Sequence, residues 1–563
     1  MEDKFWTKSY PEGVNADVNC QQKTLPDFFD ATFAKYANRE FSTNMGVTYS
    51  YDEIDTISRN IAAWIQSLGL AKGSTIGLMM PNVNQYLPIV IGVIRAGMVL
   101  TSINPLYTPR ELKHQLTDSE TKAIFILEPF CSVLEKVIKD TKVETVVIST
   151  LGDMLGTVKG NIVNLAAKHI KKAVPSYSLK SNSSYQVIPF KKVVKKGSKL
   201  KYSRPVIKPE DLALLQYTGG TTGVAKGILV TNYNIVIATA QFEEWFKPIY
   251  KKIPTDEQVN TIIALPLYHI YAFMLLLLGV RVGQHLTLVT NPRDMDGFIK
   301  ILGERPFHIF PAVNTLYQGL LANPKFKELD FSPLKLSLAG GMAATPATAK
   351  NWLETTGLPI IEGWGMSEGM GVGTANPLTN TEYNGNIGLP LPGIDIDIRD
   401  DDENILGIGE VGEMCIKGEN IISGYHNMDN ERFFTKDGYL KTGDVASMDE
   451  KGFIQIYDRK KDMLIVSGFN VFPNEVENVI EMHPKVAECS VVGVDHEVQG
   501  QSVKAYVVKS DNSLTEKEIL DFCKENLTGY KRPRNIEFIA ELPKSTVGKI
   551  LRHELRTAAS ESA

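Results

Sequence analysis

The hydrophobic positions of the first 150 residues follow two alternating spacings. Apolar residues recur at helical spacing in 25–36, 57–68, 85–95 and 131–139. Short, nearly unbroken apolar runs stand between these stretches and are typical of strands buried on both faces. The runs are 74–82, 98–105, 122–128 and 144–150. Strand, helix and strand at short intervals predict an α/β fold with parallel-rich sheets.

A second regime begins near residue 462. Its pattern predicts helices at 474–482 and 515–526 and strands at 486–494 and 502–509. The charged sequence DRKKD (458–462) joins the two regimes. A chain of 563 residues is also too long for one hydrophobic core. We therefore predict a large N-terminal domain, 1–460, and a small α+β C-terminal domain, 461–563.

One apolar run has the length of a membrane span. Residues 262–280 carry no formal charge, but Pro266, Tyr268, His269 and Tyr271 crowd the first half. A buried strand, a polar turn and a core helix fit this distribution better.

The segment 168–204 differs from the rest of the chain in charge. It holds eleven Lys and Arg residues and no acid, within a chain of net charge −5. Two interpretations remain open: a solvated excursion between two subdomains, or a surface that contacts anionic lipid headgroups. The basic residues are Lys168, Lys171, Lys172, Lys180, Lys191, Lys192, Lys195, Lys196, Lys199, Lys201 and Arg204.

Bulk properties exclude several classes. The isoelectric point near 6.1 gives no reason to expect nucleic acid as a partner. Five scattered cysteines form no CxxC pair and suit a reducing compartment. The charged N-terminus lacks the apolar centre of a signal peptide, so we expect a cytoplasmic protein.

The sequence YTGGTTGVAKG (217–227) is the first candidate for chemistry. Apolar runs at 212–216 and 228–231 predict a strand on each side of it. Glycines expose backbone N–H groups, and three threonines and Lys226 add donors for phosphate oxygens. It is not the kinase and ATPase phosphate loop, because Gly227 stands where that pattern has Ser or Thr. The alternative is a flexible surface hairpin.

Further motifs in order along the chain carry a family resemblance. They include NPLYTPREL (104–112), NPRD (291–294), GWGMSEG (363–369) and LPKSTVGKILRHELR (542–556). With 217–227 and 437–461, they resemble the adenylate-forming superfamily of acyl-CoA synthetases, luciferases and peptide-synthetase adenylation domains. Within it, the chain is most similar to bacterial long-chain fatty acid–CoA ligases.

The resemblance implies two half-reactions. A fatty acid carboxylate attacks the α-phosphate of Mg-ATP to give acyl-adenylate and pyrophosphate, and the CoA thiol then displaces AMP. Glu368 is implied as the Mg²⁺ ligand and a catalytic residue, and Trp364 stands where the family usually has tyrosine against adenine. The residues implied to bind ATP are Tyr217, Thr218, Gly219, Gly220, Thr221, Thr222, Gly223, Lys226, Trp364, Gly365, Ser367, Asp444 and Arg459.

The C-terminal motifs imply a mobile domain. Lys549 matches the lysine that bridges the carboxylate and the α-phosphate during adenylation only. Lys461 matches the hinge about which the small domain turns between half-reactions. The residues that match the CoA tunnel are Ser467, Gly468 and Phe469.

The acyl end is implied by an apolar stretch. His269 is implied as a catalytic residue, although a lone histidine in an apolar run is more often a hydrogen-bonded core residue. Phe273 matches an aromatic gate of the acyl tunnel, and Gly340 and Gly341 suit its wall. Relatives also imply a homodimer, and the basic segment suggests a peripheral position at the inner face of the membrane.

Three other functions stay open at this point. A fatty acyl-AMP ligase that serves a carrier protein typically has an insertion near the hinge, and none is evident in 458–477. A luciferase-like monooxygenase shares the motifs. A non-catalytic lipid-binding module would not need Lys549, Glu368 and Asp444.

Overall fold

The chain divides into two compact units in the computed structural model. The structure describes residues 4–218, 225–496, 499–545 and 548–561. The larger unit comprises Thr7–Ile394 and Gly418–Arg432, and the smaller comprises Met1–Trp6, Asp395–Lys417 and Phe433–Ala563. The predicted division between residues 460 and 461 stays a prediction.

The first sheet of the larger unit has the order β7-β6-β5-β3-β4-β8-β9. Its pairs are parallel except β8 with β9. Its interior strands are buried on both faces, as their continuous apolar runs predict. The strands are β3 Thr75–Met79, β4 Val99–Ser102, β5 Ala123–Leu127, β6 Thr145–Ser149, β7 Gln186–Pro189, β8 Leu212–Thr218 and β9 Lys226–Thr231.

The second sheet of this unit has the order β16-β15-β14-β13-β12-β10-β11-β1-β2. It is parallel from β14 to β1 and antiparallel at both ends. The strands are β1 Glu40–Asn44, β2 Val47–Ser50, β10 Asn260–Ile263, β11 His285–Leu288, β12 Ile309–Ala312, β13 Leu336–Ala339, β14 Ile360–Trp364, β15 Thr374–Ala375 and β16 Leu389–Pro390.

Helices cover these two sheets. Many begin at the caps that the sequence supplies: Ser50 and Glu53 form a reciprocal capping box at α2, and Thr108 with Glu111 does so at α4. The helices are α1 Leu25–Tyr36, α2 Tyr51–Gln66, α3 Tyr86–Arg95, α4 Pro109–Asp118, α5 Cys131–Glu135, α6 Thr157–Leu165, α7 Phe190–Gly197, α8 Asn232–Tyr250, α9 Ile270–Val282, α10 Met295–Glu304, α11 Asn314–Leu321 and α12 Pro346–Thr356.

The smaller unit contains an antiparallel sheet, β17-β18-β19-β20, and a mixed sheet, β22-β21-β24-β23 with β25 parallel to β24. Helices α13 Pro473–Glu481, α14 Glu516–Asn526 and α15 Arg552–Glu561 belong to it. The strands are β17 Asp395–Arg399, β18 Gly412–Lys417, β19 Leu440–Met448, β20 Ile454–Arg459, β21 Leu464–Val466, β22 Phe469–Val471, β23 Val486–His496, β24 Gly500–Lys509 and β25 Asn535–Phe538. The predicted α/β fold is confirmed.

The apolar run 262–280 forms the end of β10, a turn and most of α9, as predicted. Among the described residues, none of the helices combines the length and the apolar character needed to span a bilayer.

The basic segment is built into the first sheet. Its strand β7 pairs in parallel with β6, and α7 packs on α2 so closely that a Cβ at Gly197 would lie 1.9 Å from the carbonyl oxygen of Asn60. Residues 186–197 therefore form a strand and a covering helix, with the four lysines of α7 exposed, and both interpretations of the basic segment stay predictions.

Candidate active site

The glycine-rich segment joins two antiparallel strands, as predicted. Thr218 ends β8 opposite Lys226, the first residue of β9. Gly227 pairs with Tyr217, and a Cβ at Gly227 would lie only 3.1–3.3 Å from Leu215, Tyr217 and His426. The predicted phosphate-binding residues Gly219, Gly220, Thr221, Thr222 and Gly223 lie outside the described residues.

Helix α4 holds both ends of this segment. The Tyr217 hydroxyl donates to Oδ2 of Asp118 over 2.6 Å, and Nε2 of His114 lies 3.0 Å from the carbonyl oxygen of Ala225. Burial and the hydrogen bond to Asp118 raise the pKa of Tyr217, so the phenol stays neutral and donates. Sequence reasoning missed His114 and Asp118, although they stand only two and six residues after the NPLYTPREL motif.

Tyr425 connects two predicted site residues. Its hydroxyl donates to Oε1 of Glu368 over 2.9 Å, and Nζ of Lys226 lies 5.7 Å from its ring centroid. Burial and the neighbouring Glu368 raise the pKa of Tyr425. The structure thus brings Lys226 and Glu368 to one tyrosine that the sequence did not single out.

The position of Tyr425 depends on a long-range strand pairing. Residues 418–432 return to the larger unit, where Ile228 of β9 bridges to Tyr425 and the amide of Leu229 donates to the carbonyl oxygen of Gly424 over 3.2 Å. The same segment fixes the turn that holds Glu368, because the amide of Ile422 donates to the Glu368 carbonyl oxygen over 2.9 Å.

The surroundings of Glu368 fit a magnesium ion bound together with a nucleotide. Mg²⁺ in such sites takes one or two carboxylates and fills its other positions with phosphate oxygens and water. Glu368 is a half-buried carboxylate near Lys226, whose charge suits phosphate. The role of Glu368 as a metal ligand stays a prediction.

Glycines shape the turn that carries Trp364, Gly365 and Ser367. A Cβ at Gly365 would lie 2.2 Å from the carbonyl oxygen of Gly371, so only glycine fits there. The Trp364 ring packs directly on Gly373, where a Cβ would come within 2.6 Å of it. The half-buried indole therefore has a fixed support on one side.

His269 has a structural role at the predicted acyl end. It is the N-cap of α9, and its Nδ1 accepts from the amide of Tyr271 over 3.4 Å. The Tyr271 ring in turn lies so near Gly340 that a Cβ there would be 2.9 Å from it. Gly341 has a positive φ of 80°, and Phe273 is buried. His269 thus makes the hydrogen bond expected of it but is half-buried rather than part of the core, and its role toward a substrate stays a prediction.

Glu362 is a buried acid that sequence reasoning missed. Its Oε1 accepts from the amide of Ala344 over 2.6 Å, while the Tyr383 hydroxyl donates to the Ala344 carbonyl oxygen over 2.7 Å. Burial raises the pKa of Glu362 to about 7. The N–H and C=O groups of Ala344 are therefore both hydrogen-bonded. Ala344 stands three residues after Gly341 in the sequence.

Asp444 and Arg459 meet in the smaller unit. They are register partners on β19 and β20, and Nε of Arg459 lies 2.9 Å from Oδ1 of the buried Asp444. Gly443 before it has a positive φ of 71°. Two of the residues predicted to bind ATP therefore form one ion pair.

The remaining predicted residues lie on exposed turns of this unit. Ser467 and Gly468 both have positive φ, 53° and 83°, and form the tight turn between β21 and β22. Phe469 is half exposed and stacks on Tyr530 with 4.7 Å between centroids. Lys461 follows β20, and partial desolvation of its ammonium group together with nearby arginines lowers its pKa.

Lys549 follows a glycine in a left-handed turn. Gly548 has a φ of 83°, the amide of Lys549 donates to Oγ of Ser545 over 3.1 Å, and the amide of Ser545 donates to the Lys549 carbonyl oxygen over 2.7 Å. The side chain of Lys549 is exposed. Its backbone is thus fixed while its ammonium group faces outward.

Comparisons with known proteins show the family of the chain. Residues 29–426 match the family described as AMP-binding enzyme, and residues 475–549 match the AMP-binding enzyme C-terminal domain. The chain is 45% identical over 560 residues to a long-chain-fatty-acid–CoA ligase of Escherichia coli O6:H1, covering 99% of this chain and 98% of that protein. It is 32% identical to the long-chain-fatty-acid–CoA ligase of Bacillus subtilis, covering 100% and 99%.

Solved structures show the same fold. The ATP-bound MatB of Rhodopseudomonas palustris superposes with a TM-score of 0.78 at 25% identity, covering 94% of this chain and 98% of that one. The anthranilate CoA ligase AuaEII, in complex with anthranoyl-AMP, has a TM-score of 0.81 at 23% identity, covering 96% and 98%. The predicted resemblance is confirmed: the chain belongs to the AMP-binding enzyme family, together with its long-chain-fatty-acid–CoA ligase relatives.

Proposed function

We propose that the protein ligates long-chain fatty acids to CoA, at the expense of ATP, through an acyl-adenylate. Sequence identities of 45% and 32% to ligases of that name, over almost the full length of the chain, support the activity. The main structural support for the site is that Lys226 and Glu368 both contact Tyr425. The lysine cation can bind phosphate and the carboxylate can bind a metal ion, so the two charges that the reaction needs lie at one tyrosine.

The larger unit neutralises the reacting phosphates in this proposal. Lys226 and the backbone donors of 217–227 bind the β- and γ-phosphates, and Trp364 stacks on adenine. Glu368 holds Mg²⁺, which offsets the charge of the pyrophosphate that leaves. Tyr425 positions Glu368 and keeps one carboxylate oxygen occupied. Asp118 and His114 form hydrogen bonds with Tyr217 and Ala225, at the two ends of the phosphate-binding segment.

The smaller unit supplies the ribose and α-phosphate contacts. Asp444 accepts from the ribose hydroxyls, and Arg459 pairs with its Oδ1. Lys549 bridges the fatty acid carboxylate and the α-phosphate, whose mutual repulsion opposes bond formation. We propose that residues 461–563 then rotate about Lys461, so that Lys549 withdraws and Ser467, Gly468 and Phe469 line the path of CoA.

The acyl chain occupies the apolar region near His269, Phe273, Gly340 and Gly341. The protein acts in the cytoplasm as a homodimer, peripherally attached to the inner face of the membrane through the basic segment 168–204. The concentration of exposed lysines in that segment supports the membrane contact.

The deciding experiment measures AMP, pyrophosphate and thioester from ATP with fatty acids of increasing length, with and without CoA. Long-chain acids are expected to give acyl-CoA with equal amounts of AMP and pyrophosphate. Acyl-adenylate that accumulates without any CoA-dependent thioester would favour a fatty acyl-AMP ligase. If no acid gives AMP, the proposed ligase activity is refuted.

A further inference from the structure

Helix α6 presents an apolar stripe to solvent. Val158, Ile162 and Leu165 follow one another at intervals of four and three residues and are 75%, 61% and 59% exposed. This spacing places them on one face of the helix. Ile170, in the π-helical turn Ala166–Ile170 that continues α6, is 79% exposed. Soluble domains rarely expose large apolar side chains in such a row.

The opposite face of α6 packs on the turn after β6. A Cβ at Gly160 would lie 2.3 Å from the carbonyl oxygen of Gly152, and Oδ1 of Asn164 accepts from the amide of Gly152 over 2.8 Å. Asn164 also donates to the Thr150 hydroxyl over 3.0 Å. Gly160 is the buried residue of α6 and Asn164 is half-buried, whereas three of its four large apolar side chains are exposed, which is the reverse of the usual surface helix.

Exposed basic side chains stand on α6 and on the segments that follow it in the sequence. Lys159, Lys168, Lys171 and Lys172 are exposed on the helix and just after it. Helix α7 adds four exposed lysines, while its Phe190 and Val193 are buried. From residue 154 to 209 the sequence contains no Asp or Glu. Those lysines of α7 are Lys191, Lys192, Lys195 and Lys196.

We propose that α6 inserts Val158, Ile162 and Leu165 into the interface of an anionic bilayer, while the neighbouring lysines bind the phospholipid headgroups. An apolar face flanked by lysines suits a helix that lies in the membrane plane. A symmetric contact with a second copy fits less well, because it would place these lysines against one another. The inference rests on the peripheral membrane contact proposed above and names the element that inserts.

This docking gives the enzyme access to its substrate. Long-chain fatty acids partition into bilayers because each buried methylene is stabilised there. An enzyme held at that surface meets the acid where it is most concentrated.

The test uses flotation of the full chain with vesicles of phosphatidylcholine, with and without phosphatidylglycerol. Ile162→Asn/Leu165→Gln leaves the charge unchanged and is expected to weaken binding to the anionic vesicles by at least about tenfold, through loss of apolar burial. Ile405→Asn/Ile408→Gln, two exposed isoleucines of the other unit, is the matched control and should bind as the parent does.

A second readout reports insertion directly. Tryptophan in Leu165→Trp should be quenched by brominated lipids beyond the signal of the five native tryptophans. Neutralising the four α7 lysines to glutamine should reduce the salt dependence of binding.

The outcomes separate the proposals. If the lysine variant binds weakly but the stripe variant binds like the parent, headgroup contact stands and insertion is wrong. If the parent does not bind anionic vesicles, both membrane proposals fall, while ligation of detergent-dispersed fatty acid decides the enzyme independently. A dimer in sedimentation velocity that the stripe variant abolishes would assign this face to a second copy instead.

Discussion

The hydroxyl of Tyr425 donates a hydrogen bond to Oε1 of Glu368 over 2.9 Å, across 57 residues of sequence. The same ring lies beside Lys226 of the strand that follows the glycine-rich segment. One side chain thus joins the proposed metal ligand to the proposed phosphate-binding lysine.

Tyr425→Phe should therefore impair metal use more than folding. A hydrogen bond to a charged group contributes roughly 1.5–3 kcal/mol, so we expect kcat/KM for ATP to fall about 10- to 100-fold and the Mg²⁺ requirement to rise. Pyrophosphate release measured across a Mg²⁺ titration tests this. The control is Tyr233→Phe, which removes an exposed hydroxyl that contacts Glu419 and should change neither value. An unaltered Mg²⁺ dependence in Tyr425→Phe would remove the positioning role.

Local signals in the sequence explain why much of the fold was predictable. Helix α1 matches the predicted 25–36, and β8 and β9 contain the predicted strands at 212–216 and 228–231. For α2 the apolar spacing predicts a start at residue 57, whereas the helix begins at Tyr51. The earlier start follows from the Ser50–Glu53 capping box, a signal that is present in the sequence but independent of apolar spacing.

The residues that sequence reasoning missed are placed by long-range contacts. Tyr425 reaches Glu368 only because residues 418–432 pair with β9, nearly 200 positions earlier. Glu362 looks like any polar residue in the middle of a short strand until the fold buries it against Ala344. Pairing partners so distant along the chain leave no periodic trace in either segment.

Lys549→Ala should separate the two half-reactions. The lysine is proposed to stabilise charge during adenylation only, so we expect loss of acyl-adenylate formation by at least about 100-fold. Thioester formation from supplied acyl-adenylate and CoA should remain within a few-fold of the parent. Lys544→Ala is the matched control, since Lys544 pairs with Glu488 at 2.5 Å in the same unit. Equal loss of both half-reactions in Lys549→Ala would contradict the rotation model.

Asp444→Asn should raise KM for ATP about tenfold or more, because the amide is a weaker acceptor for ribose hydroxyls and no longer pairs with Arg459. KM for the fatty acid should stay unchanged in initial-rate measurements. Asp397→Asn is the control, because it also removes an ion pair from this sheet: Asp397 lies 2.8 Å from Arg399. This variant should leave KM for ATP unchanged. If both variants raise KM for ATP equally, the effect of Asp444 is structural.

Arg552→Ala should destabilise the smaller unit. Arg552 reaches the buried Asp458 at 3.5 Å and Glu477 at 2.5 Å, and its removal leaves both acids without this cation. Loss of one partner from a buried network costs about 3–5 kcal/mol, so we expect a clear drop in Tm by calorimetry. Arg556→Ala, whose side chain is more exposed and pairs with Asp462, should lower Tm less. A smaller effect for Arg552→Ala than for Arg556→Ala would refute this ranking.

Glu362 should make the stability of the larger unit depend on pH. Burial raises its pKa from an ordinary value near 4.5 to about 7, so the folded unit binds a proton that the unfolded chain has released. The corresponding stability is present below about pH 4.5 and is lost as the pH rises through 7, with a total on the order of 3 kcal/mol.

Glu362→Gln cannot titrate, and its amide oxygen can still accept from the amide of Ala344. We therefore expect the Tm of Glu362→Gln relative to the parent to rise by several °C between pH 5 and pH 8 in differential scanning calorimetry. Glu382→Gln, an exposed acid nearby in the sequence, should run parallel to the parent at every pH. A Tm difference for Glu362→Gln that stays constant with pH would mean that Glu362 keeps one protonation state throughout this range, and its burial would then not make the stability of the unit depend on pH.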